Sequence, residues 1–224
     1  MNLLAIDSFC STLSIAVSRN DVIYYSQTEA GVKHSEIAMG RVDGLLKNAL
    51  LAADDLNGIL CMGGPGSFTG LRIGFSIAKG LSLALSVPFI PVPTMDCIAY
   101  PFRDGGLALT VMEAGKTTWF FALYSGGKCL MRAAEGEISH IAGQIEKLNT
   151  ENIVLTGPGA ASLYDKLPQN IKKNLTAAFE QRGYAKELIF IANKDKLFDN
   201  VDSSALCFSG PQYFKKTDAE LNLG

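Results

Sequence analysis

The 224 residues carry 20 Lys and Arg against 22 Asp and Glu, a formal net charge of −2, so the chain lacks the positive field of a stand-alone nucleic-acid binder. With 48% hydrophobic residues, 19% charged residues and no apolar run near the roughly 18 needed to span a bilayer, the composition is that of a globular protein and excludes the membrane and disordered classes. The first ten residues have no basic start and are interrupted by Asp7, so a secretory signal is not expected there and a cytoplasmic location is.

In chain order, Leu3 to Ile6 reads as a short strand stopped by Asp7-Ser8, Leu13, Ile15 and Val17 alternate as a second, and Val22 to Gln27 supplies a third. From His34 to Ala53, apolar residues recur at three and four and predict an amphipathic helix. Gly58 to Met62 is a buried strand that runs into Gly63-Gly64-Pro65-Gly66-Ser67. A helix over Thr69 to Ser86, a strand over Phe89 to Val92 and a short helix from Thr94 follow.

After the turn-rich Arg103 to Gly106 the same order begins again. Leu107 to Glu113, Thr117 to Tyr124 and a strand through Met131 precede a helix over Glu137 to Leu148, and Ile153 to Leu155 then runs into Thr156-Gly157-Pro158-Gly159-Ala160. Each half reads β-β-β-α-β-turn-α, which predicts two similar α/β lobes, 1–102 and 103–224, the second the smaller once its C-terminal segment packs back on the first. This is the arrangement of the duplicated, ribonuclease H-like superfold of actin, hexokinase and Hsp70. There the first strand of each lobe ends in an acid that faces nucleotide phosphate and metal, and Asp7 and Glu113 hold the matching places.

The glycines of Gly63 to Gly74 permit close backbone approach, and Ser67 and Thr69 can cap the helix that follows, whose free amides attract an anion. Such a stretch is either a phosphate or partner cradle or simply a tight turn with a capped helix. No Gly-Lys-Ser/Thr follows, so it is not a Walker loop. Five widely spaced cysteines without a C-x-x-C pair exclude a disulfide scaffold and a zinc knuckle. The two histidines, His34 and His140, each lack a second histidine three to five positions away. Trp119, Phe120 and Phe121 read as core, and Lys172-Lys173 and Lys215-Lys216 as a solvated face or a contact to RNA phosphates.

The run Gly64-Pro65-Gly66-Ser67-Phe68-Thr69-Gly70-Leu71-Arg72-Ile73-Gly74 resembles the signature of the TsaB (YeaZ) family of bacterial threonylcarbamoyladenosine proteins. Leu4 to Ser8, His34-Ser35-Glu36 and Pro211 to Lys216 resemble further landmarks of that family. The resemblance implies a non-catalytic actin-like subunit that pairs with the catalytic paralogue TsaD and the ATPase TsaE, in a complex that places threonylcarbamoyl on N6 of adenosine 37 of tRNA. The paralogue holds its metal with two histidines four apart on the first helix; the second position is Ala38 in this chain, so no metal site and no catalysis are expected.

The expected nucleotide-contacting residues, for ATP or ADP at the contact with the partner and no cofactor of the chain's own, are Asp7, Ser8, Gly66 and Ser67. Two departures weaken that expectation, Phe9 after Asp7-Ser8 and Glu113-Ala114-Gly115 without an Arg. The expected partner interface is His34, Ile37, Gly40, Arg41 and Gly44 on the first helix with Gly74 and Ala78 on the second. The paired small residues serve either helix packing within the lobe or pairing with another subunit, as homodimer or with the TsaD-like partner. The rival readings are a small kinase or phosphotransferase using Asp7, and a metallopeptidase, against which the missing second histidine speaks.

Overall fold

The computed structural model describes residues 1–31, 33–179, 182–199, 201 and 210. Strand β1, Leu3–Asp7, is buried along its whole length, because its two faces meet two different cores. Leu4 and Ile6 point one way with Ile15 and Val17 of β2, Thr12–Arg19, while Leu3 and Ala5 point the other way with Ala16. Edge strand β3, Val22–Glu29, is largely exposed. β4, Gly58–Met62, and β5, Phe89–Val92, complete a sheet of order β3-β2-β1-β4-β5. β1 pairs antiparallel with β2 and parallel with β4.

The second sheet repeats this plan. β6, Leu107–Glu113, sits centrally, flanked on one side by β7, Thr118–Ser125, and β8, Lys128–Glu137. On the other side lie β9, Ile153–Thr156, and β10, Leu175–Ala178, giving the order β10-β9-β6-β7-β8. β6 is antiparallel to β7 and parallel to β9, the same pairing pattern as β1 with β2 and β4. The duplicated two-lobed α/β fold expected from the sequence is the fold observed.

Helices fill three layers. α1, His34–Asn48, and α2, Phe68–Leu85, cover the outer face of the first sheet through Ala38, Val42, Leu45, Phe75 and Ala78. α3, Thr94–Ala99, and α7, Ala185–Lys194, lie in the core that joins the two sheets, with Leu60 and Met62 from the first and Met112 and Phe120 from the second. α4, Ile138–Lys147, and α5, Ala160–Lys166, cover the outer face of the second sheet against Leu109, Trp119 and Phe121; a short α6, Gln169–Lys172, follows. The Trp119-Phe120-Phe121 run is core on both faces of its strand. α7 follows the second lobe in the chain but packs against β1, β2 and β4 of the first.

Three sequence expectations are corrected. The first helix ends at Asn48 instead of Ala53, because Leu50 takes a left-handed conformation (φ 53). The Leu50 amide donates to the Lys47 carbonyl and that of Leu51 to the Leu46 carbonyl, at 3.0 Å each, the two bonds of a Schellman ending. The third strand of the second lobe runs on from Met131 to Glu137, its exposed edge lacking the alternation that marks a half-buried strand. β10 carries only Leu-Thr-Ala-Ala, too little apolar patterning to stand out.

Leu50 is 78% exposed and pays a steric cost that glycine avoids. Leu50→Gly is therefore expected to raise stability by roughly 0.5–1 kcal/mol, read as a higher urea midpoint with an unchanged slope; a lower midpoint would show that Leu50 is held by contacts this geometry lacks.

Candidate functional site

Asp7 ends β1 with no solvent exposure. Its Oδ2 accepts from the Ser14 hydroxyl at 2.9 Å and from the Tyr184 amide at 2.7 Å, and its Oδ1 from the Phe9 amide at 3.3 Å. The Ser14 Oγ in turn accepts from the Ala185 amide at 3.1 Å. Asp7 and Ser14 thus satisfy the first free amides of α7 from another part of the chain, with a carboxylate at the positive end of the helix dipole. Burial pushes the Asp7 carboxyl up to about 6, against the lowering effect of those three hydrogen bonds.

The Gly-rich turn presses against the residues after Asp7. The Ser8 hydroxyl donates to the Gly70 carbonyl at 2.8 Å, and a Cβ on Gly70 would overlap the Ser8 carbonyl oxygen. A Cβ on Gly74 would stand 2.6 Å from Ser8 Oγ, and one on Gly66 2.9 Å from Phe9 Cβ. The Ser67 amide donates to the Phe9 carbonyl at 2.8 Å, and Ser67 Oγ caps α2 by accepting from the Gly70 amide at 3.2 Å. In the second lobe, Gly157 at φ 109 matches Gly64 at φ 104, and a Cβ on Gly157 or Gly159 would strike Val111 or Met112 of β6. Both Gly-Pro-Gly turns are sites of close approach to the chain's own strands, which is the tight-turn reading of the motif.

All four expected nucleotide residues meet in one place, but Asp7 and Ser8 are buried with their polar atoms engaged inside the fold. The space beside them is taken by Phe9, itself fully buried, with its ring 6.0 Å from that of Tyr184. Glu113, at the matching place in the second lobe, is exposed.

The expected interface residues divide in two. Gly40 and Arg41 are exposed and Ile37 and Gly44 half-buried, and a Cβ on Gly40 or Gly44 would meet nothing within 4 Å. Among the described residues, nothing packs on these glycines. His34, Gly74 and Ala78, expected at the same interface, are buried in the single chain, Gly74 against Ser8 and Ala78 in the core under α1. Burial lowers the His34 imidazole pKa, favouring the neutral ring. Sequence reasoning missed Phe68, Ile73 and Ile77, which line a shallow apolar groove with Ser35, Thr69, Arg72 and Ser76 between the two helices. Their phase, offset from the buried Leu71-Phe75-Ala78 stripe, was the available signal.

Among the described residues no group of three or more His, Cys, Asp or Glu could hold a metal, and no helix is long and apolar enough to cross a membrane. His140 is exposed, and Lys172 lies over the Tyr164 ring at 5.1 Å. Lys215-Lys216, Cys207 and the Pro211 to Lys216 landmark lie outside the described residues.

Residues 23–222 match a family model described as TsaD, tRNA N6-adenosine threonylcarbamoyltransferase. The tRNA threonylcarbamoyladenosine biosynthesis protein TsaB of Bacillus subtilis is 36% identical over 126 residues, 55% of each chain. That of Buchnera aphidicola from Acyrthosiphon pisum is 26% identical over 207 residues, 88% of this chain and 92% of the other. The chain belongs to this family, in its TsaB (YeaZ) group. Against the Bacillus member of the group the chain spans about half of that relative's length. A solved Pseudomonas aeruginosa protein described as similar to peptidase YeaZ superposes with a TM-score of 0.79 at 18% identity, covering 96% of this chain and 99% of its own, so this TsaB-group chain shares that fold.

The Asp7 carboxyl gives a pH test. Its folded-state value is raised from 3.8 to about 6, so above pH 6 the folded state carries a charge burial penalises. As pH falls from 6 towards 4 it takes up a proton that the unfolded chain still lacks, and stability rises. The wild type should gain up to about 2–3 kcal/mol over that window relative to Asp7→Asn, measured by urea unfolding at pH 7.5 and 4.5. Parallel pH profiles for the two proteins would refute the buried charge.

Proposed function

We propose that the chain is a non-catalytic subunit that binds and activates a TsaD-like partner in forming N6-threonylcarbamoyladenosine at position 37 of tRNA. The observation that carries this reading is the bare strip of α1 at Gly40 and Gly44; the apolar groove along α2 is a separate open surface. A glycine inside a helix costs about 1 kcal/mol relative to alanine, and no neighbour among the described residues uses the space. A second helix from another subunit can approach the bare backbone there. The same strip suits a homodimer when the chain is alone. The names of the TsaB relatives support the tRNA modification as the context.

Within that complex a TsaE-like ATPase is the further protein partner, and tRNA is reached through the assembly, in keeping with the net charge of −2. The engaged state of Asp7 favours docking over phosphoryl transfer, since a carboxylate with three internal donors has little left for a metal-bound phosphate. Ser67, exposed at the start of α2, is the residue through which ATP or ADP would be met at the contact with the partner.

Gly44→Leu should leave the circular dichroism spectrum unchanged and the thermal midpoint equal or higher, because the new side chain meets open space and leucine is the better helix former. The same variant should lose co-purification with the TsaD-like subunit and with it modification of adenosine 37. Unaltered co-purification, or robust metal-dependent turnover by the isolated chain, would overturn the proposal.

A further inference from the structure

A second cavity lies at the other end of α7. Lys194 and Asp195 stand ten and eleven residues beyond Tyr184, about 15 Å along the helix axis, and there α3, the β7–β8 turn and α7 enclose a space of about 120 Å³. This is well below the ~300 Å³ at which drug-sized pockets begin, so any occupant is small.

The lining is charged in both signs. Asp96 is half-buried between the lobes and accepts the Tyr124 hydroxyl at 2.5 Å through Oδ1, which leaves Oδ2 for another donor. Asp195 stands at the mouth with Lys194, and neither has an ion-pair partner within 4 Å among the described residues. Arg103 donates to the Tyr100 carbonyl at 3.2 Å, stacks on the Tyr100 ring at 4.1 Å and reaches Asp104 at 3.6 Å. Lys194 Nζ lies 6.0 Å from that ring. Phe190 stacks on Tyr100 at 5.8 Å and 11°, which fixes the aromatic wall.

We propose that this cavity binds a small zwitterion of the α-amino acid class, its ammonium inward on Asp96 and its carboxylate outward on Arg103 and Lys194. Two acids and two bases on one small wall leave a lone cation or a lone anion with one pair of charges uncompensated, while a zwitterion meets both. Exposure sets the orientation: Asp96 is the half-buried acid, whereas the base Lys194 is exposed at the mouth beside Asp195. Burial also raises the Asp96 carboxyl, a cost that an ammonium beside it offsets.

Calorimetric titration of the full chain with L-alanine, and with propionate and ethylamine, which each keep one of its charges, tests the match. L-Alanine is expected to bind and the two halves to bind at least about tenfold more weakly. Asp96→Asn and Lys194→Gln should each weaken L-alanine by about tenfold with unchanged circular dichroism. L-Alanine should also slow alkylation of the exposed Cys129 at the cavity edge, and L-tryptophan, too large for the space, should not. Absence of L-alanine binding, equal binding of the three probes, or L-alanine binding untouched in Lys194→Gln, whose exposed side chain the fold does not need, would overturn the proposal.

Discussion

The fold depends on one buried carboxylate. Asp7 closes β1, and through Ser14, Phe9 and Tyr184 it ties the first hairpin to the start of the last described helix. An ionised carboxylate with no solvent is costly unless donors surround it, and the unpaired amides at the N-terminus of α7 are donors in need of an acceptor. Each satisfies the other. The consequence is that a chain segment more than 170 residues away from β1 becomes part of the first lobe's inner face, and the two sheets share one core around α3 and α7.

The same interaction explains how a duplicated fold comes to have unequal halves. Both lobes keep the strand order, the parallel and antiparallel pairing and the Gly-Pro-Gly turn with its left-handed glycine. In the first, the strand-end acid is buried and engaged; in the second, Glu113 stands in solvent. Phe9 marks the divergence, because a fully buried ring packed on Tyr184 occupies ground a small hydroxyl residue would leave open. The turn that could cradle a phosphate instead cradles the Ser8 carbonyl and hydroxyl, so the glycines are required by the backbone's own proximity.

Most of the first lobe was legible in the sequence because its elements are long or strongly patterned: the Ala38-Val42-Leu45 stripe and the apolar run of Gly58 to Met62 each have one physical reading. Less legible were features decided by partners distant in the chain. Nothing local marks Asp7 as an acceptor for α7, and a Gly74-Ala78 pair at helical spacing looks the same whether it meets Ser8 and a core or a second molecule. The Gly40-Gly44 pair has the identical spacing and the opposite environment. Spacing specifies a face; which neighbour covers that face is a property of the whole fold.

That contrast bears on what the outer helices are for. The buried glycine of α2 is explained within the chain, since a side chain there would collide with Ser8. The glycines of α1 have no such reason: they lower helix propensity at positions where alanine would fit without contact. A feature that weakens the free helix acquires a physical purpose when another backbone lies against it, at a distance a side chain would prevent. Glycine thus stands in two opposite settings, inward on α2 where Ser8 fills the space a side chain would take, and outward on α1 where that space is open.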